Sequence, residues 1–176
     1  MKITNHSYSN YQQIALNRID LDLKFSFEKK KIYGKATCNL DRKSKTDRLI
    51  LDTKGILINT VSSDTDEKLK HELGKYDSVL GSALIIKLPE ACNTVIVEYE
   101  TTEKSETLQW LTPEQTYSKK HPFLFTQSQA ISARTLIPLQ DCPAERFTYT
   151  AKVQVDMDLL PLMSASNPQE KNIERV

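Results

Sequence analysis

The chain has 176 residues, of which 39% are hydrophobic and 27% are charged, and its formal net charge is +1. This composition is typical of a globular domain, and the small net charge gives no electrostatic reason to expect binding to nucleic acid or to an anionic membrane surface. No apolar run approaches the roughly 20 residues needed to cross a bilayer. Residues 1–13 also lack the apolar core of a secretory signal. We therefore expect a cytoplasmic protein that binds neither nucleic acid nor membrane.

Strict alternation of apolar and polar residues predicts the first two strands. Residues 19–27 place Ile, Leu, Leu, Phe and Phe at every second position, and residues 32–40 do the same with Ile, Gly, Ala, Cys and Leu. A period of two is that of a half-buried strand. The charged segment 28–31 lies between the two runs, so the pair is predicted to form a hairpin.

Shorter apolar segments predict the remaining strands, and the sequence shows no internal repeat and no long amphipathic helix. Residues typical of turns, namely Gly, Asp, Asn and Pro, separate the segments. The predicted fold class is therefore all-β, as a sandwich or a large twisted sheet. The predicted strands cover residues 48–52, 56–61, 83–88, 94–100 and 147–155.

Residues 101–122 form a long polar segment that contains the only tryptophan. A loop of this length within a compact domain is usually functional or covers another part of the molecule.

The sequence offers little material for a metal or catalytic site. Cys38, Cys92 and Cys142 are odd in number and widely spaced, so neither a disulfide framework nor a cysteine metal site is expected. The segment "HELGK" (71–75) begins like the zinc motif H-E-x-x-H, but Lys75 stands where the second histidine is required. Motifs of nucleophile elbows, Walker loops and dinucleotide-binding loops are also missing. We therefore expect no metal ligand and no catalytic residue, although a triad assembled only in three dimensions would leave no such trace.

The stretch "LFTQSQAISARTLIPLQDCP" (124–143) is the most informative part of the chain. Gln127 and Gln129 are two residues apart, so on an extended strand both would point to the face that also carries Phe123 and Phe125. Their amides either bond neighbouring backbone at a sheet edge or face a ligand. The spacing alone favours the first interpretation.

The same region resembles the N-terminal domain of the M1 family of zinc aminopeptidases. The family pattern combines a glutamine, an Ala-Arg pair, a proline and Asp-x-Pro. The segment "LQWLTPEQT" (108–116) is similar to the leukotriene A4 hydrolase branch of that family, as are "RLILDTKGILI" (48–58) and "LPLMSAS" (160–166). The residues that match the family pattern are Gln129 or Gln127, Ala133, Arg134, Pro138, Asp141 and Pro143.

The resemblance implies a saddle-shaped β domain that packs on a separate catalytic domain. That catalytic domain would carry the zinc-binding H-E-x-x-H motif and a G-x-M-E-N motif, and neither occurs in this sequence. We therefore expect residues 1–176 to be a single truncated N-terminal domain with no cofactor of its own. Zinc is expected in the catalytic domain of the parent enzyme. The expected partners are that domain and a peptide substrate.

The resemblance also implies roles for individual residues. Gln127, Gln129 and Ala130 match positions that edge the active-site cleft, and the residue matching Gln129 helps hold the N-terminal residue of the substrate. We interpret Arg134 and Asp141 as structural, a charged pair or turn cap that fixes the loop carrying the glutamines.

Two other functions remain open from the sequence. The chain could be a stand-alone β-sandwich binding or interaction module that reuses the fold without peptidase activity. A self-sufficient enzyme would require a site that the sequence does not reveal.

Overall fold

The computed structural model describes residues 6–156 and 158–167, so the ends of the expected domain, residues 1–5 and 168–176, lie outside the description. Nearly all regular structure within it is β, which confirms the predicted fold class. Single turns of 3-10 helix occur at Pro113–Gln115 and Ala133–Thr135. The strands are β1 (Ile14–Ser26), β2 (Lys31–Arg42), β3 (Arg48–Thr53), β4 (Ile56–Ser63), β5 (His71–Leu73), β6 (Ser82–Lys87), β7 (Thr94–Thr101), β8 (Leu108–Leu111), β9 (Phe123–Thr126) and β10 (Thr148–Gln154).

A five-stranded sheet in the order β10-β1-β2-β7-β4 forms the larger layer. The predicted hairpin is confirmed, because β1 and β2 pair antiparallel, with Leu23 opposite Gly34. β10 joins β1 in parallel, and the other neighbours in this sheet are antiparallel. Alternate side chains of these strands turn to one buried face, as the period of two predicts. On the three central strands these include Ile19, Leu21, Leu23, Ala36, Cys38, Val95, Val97 and Tyr99.

A three-stranded sheet in the order β3-β6-β5 forms the second layer. Leu49 and Leu51 of β3 and Leu84 and Ile86 of β6 are fully buried. They belong to the same hydrophobic cluster as the buried face of the larger sheet. The two sheets therefore share one core, as in a sandwich.

A two-stranded ribbon, β8 and β9, corrects one of the predictions. Part of the segment expected to be a loop, 101–122, is strand β8. The other strand of the ribbon, β9, is largely exposed, since Phe123 and Phe125 are 53% and 45% exposed. Only Leu124 of that strand packs on the core. A ribbon that covers the core with one face leaves the alternate side chains of β9 in solvent.

Two buried side-chain amides close sheet edges where a neighbouring strand is missing. Asn10 accepts a hydrogen bond from the Ile50 backbone N–H (2.9 Å) and donates one to the Arg48 carbonyl (2.8 Å) on the edge of β3. Gln140 accepts from the Leu16 N–H and donates to the Ile14 carbonyl, both at 2.9 Å, on β1. Each amide thus replaces one residue of a strand, because a primary amide carries the same donor and acceptor as the backbone.

Within the described ranges, no helix is both long enough and apolar enough to cross a bilayer.

The close approach of Tyr99 to Gly34 gives a first prediction. These residues are cross-strand partners, and a Cβ atom on Gly34 would lie 2.6 Å from Tyr99 Cε1. Because the buried ring has no room to move, we expect Gly34→Ala to lower the free energy of unfolding by about 1–3 kcal/mol. Urea denaturation followed by tryptophan fluorescence measures this change. The matched control is Gly74→Ala, whose Cβ would meet its nearest atom at an ordinary 3.5 Å. Equal midpoints for the two variants would contradict the steric argument.

A second prediction concerns the buried amide of Gln140. Gln140→Glu keeps the size of the side chain but removes the donor to the Ile14 carbonyl and places an acidic group in a site that is 1% exposed. We expect the free energy of unfolding to fall by at least about 2 kcal/mol. The exposed, unbonded Gln12 provides the control, since Gln12→Glu should change stability by less than about 0.5 kcal/mol. Thermal denaturation of the two variants would show no difference if Gln140 were not part of the β1 edge.

Candidate functional site

The glutamines lie on a loop that follows β9, and they do not lie on the strand itself. β9 ends at Thr126, and the chain then turns through residues 127–132 into the 3-10 helix Ala133–Thr135. Gln127 and Gln129 are both exposed. The hydrogen bonds of the described ranges include none from either side-chain amide, so the bonding to a sheet edge that the spacing favoured does not occur there.

The remaining predicted contact residue, Ala130, is also exposed on this loop, and the peptide bond that joins it to Gln129 is cis. Gln127, Gln129 and Ala130 therefore form a short exposed surface. We call the segment that carries them, residues 127–132, the glutamine loop. Its two side-chain amides are uncharged and can both donate and accept hydrogen bonds.

Hydroxyl groups anchor the end of the glutamine loop to the chain that enters β8. The Thr107 hydroxyl donates to the Ser132 carbonyl at 2.7 Å, and the Thr107 carbonyl accepts from the Gln127 N–H at 3.2 Å. The Thr135 hydroxyl also donates to Ser132 (2.9 Å), and Ser105 donates to the Thr135 carbonyl (2.7 Å). Thr107 thus binds both ends of the loop, and its fully buried side chain shields these bonds from water.

Arg134, two residues after the glutamine loop, is fully buried, and it joins three separate parts of the chain. Its Nε donates to Asp141 Oδ2 at 3.0 Å, and its Nη2 donates to the carbonyls of Asp141 (2.9 Å) and His6 (2.7 Å). Its Nη1 donates to the Leu80 carbonyl at 3.0 Å. A guanidinium stays charged in proteins, so a buried one needs this full set of partners.

Asp52 supplies a second carboxylate near this guanidinium, and no pattern in the sequence had indicated it. Its Oδ1 lies 3.6 Å from Arg134 Nη1, and both side chains are 0% exposed. The carboxylate also accepts hydrogen bonds from the Ser7 hydroxyl, the Tyr8 N–H and the Asp141 N–H. Burial raises the pKa of the Asp52 carboxyl, and these donors and Arg134 oppose the rise. A buried aspartate beside a distant arginine leaves no short-range signal in a sequence, so only the structure brings the pair together.

The segment that begins like a zinc motif does not form one. His71 lies on β5, an exposed edge strand, and its Nδ1 is 3.2 Å from the Leu69 carbonyl. Across residues 6–156 and 158–167, no cluster of three or more His, Cys, Asp or Glu side chains could hold a metal. The described residues therefore do not fit a zinc ion.

The geometry defines an all-β domain that presents uncharged amides on an anchored loop. The family model of the peptidase M1 N-terminal domain matches residues 7–176. The chain therefore belongs to the peptidase M1 N-terminal domain family, as its sequence resemblance indicated.

Among relatives, leukotriene A-4 hydrolase of Xenopus laevis is 38% identical over 167 residues, which cover 90% of this chain and 27% of that protein. Leucine aminopeptidase 2 of Saccharomyces cerevisiae is 37% identical over 153 residues, which cover 83% of this chain and 22% of that protein. The chain thus spans about a quarter of the length of these relatives.

Solved structures give the same placement. The structure of native leukotriene A4 hydrolase from Saccharomyces cerevisiae superposes with a TM-score of 0.79 at 35% identity, over 86% of this chain and 25% of that chain. The M1 zinc metallopeptidase from Deinococcus radiodurans shares the fold with a TM-score of 0.61 at 16% identity, over 81% of this chain and 32% of that chain.

Proposed function

We propose that this chain is the non-catalytic N-terminal domain of a cytoplasmic zinc aminopeptidase similar to leukotriene A4 hydrolase. In this proposal it lines one side of the substrate cleft, and the parent enzyme releases N-terminal residues from peptides. Zinc would be held by the catalytic domain of the parent, because the described residues here do not fit the ion. Residues 1–176 then form a single domain whose partners are that catalytic domain and the peptide.

One observation carries the cleft role: exposed, unbonded amides on a loop whose ends are anchored. An exposed polar side chain on a mobile segment has no defined target. Here Thr107 binds the loop at both ends, and Arg134, two residues after the loop, is bonded to His6 and Asp141. A fixed loop can hold Gln129 in one place with little loss of entropy when a ligand binds.

The chemistry of an amide suits a peptide substrate. The Gln129 oxygen can accept a hydrogen bond from a substrate ammonium or amide, and its NH2 group can donate to a substrate carbonyl. Gln127 offers the same groups two residues away. Neither adds charge to the cleft, so acidic groups that bind a substrate ammonium elsewhere would keep their full effect. Ala130 is small enough to let a peptide approach the backbone of the loop.

Arg134 and Asp141 have a supporting role in this proposal. Asp141 Oδ2 accepts hydrogen bonds from both the side chain (3.0 Å) and the backbone N–H (3.2 Å) of Arg134. This arrangement fixes the 3-10 helix Ala133–Thr135, into which the glutamine loop leads. The pair would in this way hold the loop in place beside a substrate.

The third prediction tests the function directly. We expect this chain alone to be inactive on a chromogenic amino-acid amide with added zinc, and the full-length product of its gene to be active. Gln129→Ala in the full-length protein should lower kcat/KM by about 10- to 100-fold, the effect of losing a hydrogen bond to a charged group.

The control for this assay is Gln12→Ala, an exposed glutamine outside the loop, which should leave kcat/KM unchanged. Full activity of the Gln129→Ala variant would contradict the proposal that Gln129 contacts the substrate in the cleft. An inactive full-length protein would favour a stand-alone β-sandwich binding module, and activity of the isolated chain would require a catalytic site of its own.

The fourth prediction concerns the partner domain. Phe123 and Phe125 are exposed next to each other, with ring centroids 6.3 Å apart. Exposed apolar patches usually contact another protein surface. If they face the catalytic domain in the parent, the isolated chain should self-associate as its concentration rises.

Light scattering of this chain measures that association. The variant Phe123→Ser/Phe125→Ser should shift it toward a monomer, whereas Tyr117→Ser, which changes another exposed aromatic residue, should not. A wild-type chain that stays monomeric at high concentration would contradict the docking role of these phenylalanines.

A further inference from the structure

Asp52 connects strand β3 to the chain that follows the glutamine loop. The proposed function requires that loop to be held in place. Asp52 lies near the end of β3, whose edge is bonded to Asn10 and, through the Asp52 backbone, to Leu139. The Asp52 N–H donates to the Leu139 carbonyl at 2.7 Å, and the Leu139 N–H donates back at 3.3 Å. Side chains on strands hold their positions better than side chains on loops. Asp52 is therefore a fixed point against which the chain after the glutamine loop is held.

The carboxylate of Asp52 contacts both Arg134 and Asp141, which lie in the chain after the glutamine loop. It accepts a hydrogen bond from the Asp141 N–H at 3.1 Å, and it lies 3.6 Å from Arg134 Nη1. Apart from Asp141, the hydrogen-bond acceptors of the Arg134 side chain are the neutral carbonyls of His6 and Leu80. Asp52 and Asp141 are thus the two carboxylates that balance this buried positive charge within the described ranges.

The same carboxylate also binds the N-terminal segment. The Ser7 hydroxyl and the Tyr8 N–H both donate to it, and the carbonyl of His6 accepts from Arg134. The N-terminal segment is therefore part of the same network as Asp141. Replacing Oδ2 of Asp52 by an amide nitrogen would leave the Ser7 hydroxyl and the Asp141 N–H without their acceptor.

We propose that Asp52 is a positioning residue, which acts through Arg134 and Asp141 to hold the glutamine loop in the conformation that presents Gln129. This inference rests on the proposed function for its biological meaning, but its physical content is a property of the chain alone. A residue that merely stabilises the fold would affect all regions together, whereas a positioning residue affects one loop more than the rest.

Hydrogen–deuterium exchange of the 176-residue chain separates these two roles. Asp52→Asn keeps the size of the side chain but removes its charge and one acceptor oxygen. The control is Val97→Ala, which creates a cavity in the core of β7 and does not contact the network. The probes are backbone amides that are bonded in and after the loop, namely Ser132, Thr135, Leu136 and Ile137.

We expect these amides to exchange at least about tenfold faster in Asp52→Asn than in Val97→Ala. The two variants are compared at temperatures equally far below their thermal unfolding midpoints. Amides of β1, which pairs with neither β3 nor β7, should exchange equally in the two variants. Equal exchange of the loop in both variants, or a uniform increase across the chain, would overturn the positioning role.

A milder variant covers the case in which Asp52→Asn does not fold. Ser7→Ala removes one donor to Asp52 and keeps the carboxylate, so it should produce the same local pattern with a smaller increase. No local increase in this folded variant would also overturn the proposal.

Kinetics of the full-length product distinguish failure of this inference from failure of the proposed function. A loosened loop together with a raised KM supports both. A loosened loop with unchanged kcat and KM supports the positioning role of Asp52 but overturns the cleft role of the loop.

Discussion

The burial of one guanidinium organises this part of the molecule. Arg134 cannot lose its charge, and moving a charge out of water costs several kcal/mol unless partners compensate. The fold supplies them from the N-terminal segment, the chain before β6, strand β3 and the segment that ends at Asp141. These segments are far apart in sequence, so the requirement to satisfy Arg134 brings them together. The glutamine loop ends two residues before Arg134, so the contacts of Arg134 restrain the chain into which the loop leads.

Four side-chain amides in this domain have opposite surroundings, two buried at sheet edges and two exposed on a loop. Asn10 and Gln140 are buried, and each satisfies a donor and an acceptor of a strand edge. The side-chain amides of Gln127 and Gln129 are exposed on an anchored loop and make no hydrogen bond within the described ranges. Both pairs have the same chemistry. Their different surroundings come from where the backbone places them, which supports the proposed function of the loop in a peptidase M1 N-terminal domain.

The success of the predicted fold depended on particular patterns. β1 and β2 alternate strictly because one face of their sheet covers the core, and the other strands on that core keep enough of the pattern to be found. β5 escaped prediction because all three of its residues are exposed, so it has no alternation to detect. β8 was expected to be part of a loop because a ribbon at the margin of the core buries only some of its side chains and shows little alternation. Phe123 and Phe125 of its partner β9 stay in solvent.

Local order was determined by the sequence alone: the β class, the principal hairpin, the family and the stretch that carries Gln127, Gln129 and Ala130. These follow from periodicity and motif, which act over a few residues. Only the tertiary structure decided that Asp52 lies beside Arg134, that Asn10 and Gln140 close sheet edges, and that the glutamines lie beyond β9 on a loop. Each of these depends on contacts between residues far apart in the chain, such as the 126 positions between Ile14 and Gln140. Such contacts are set by the packing of a shared core, which no short stretch of sequence encodes.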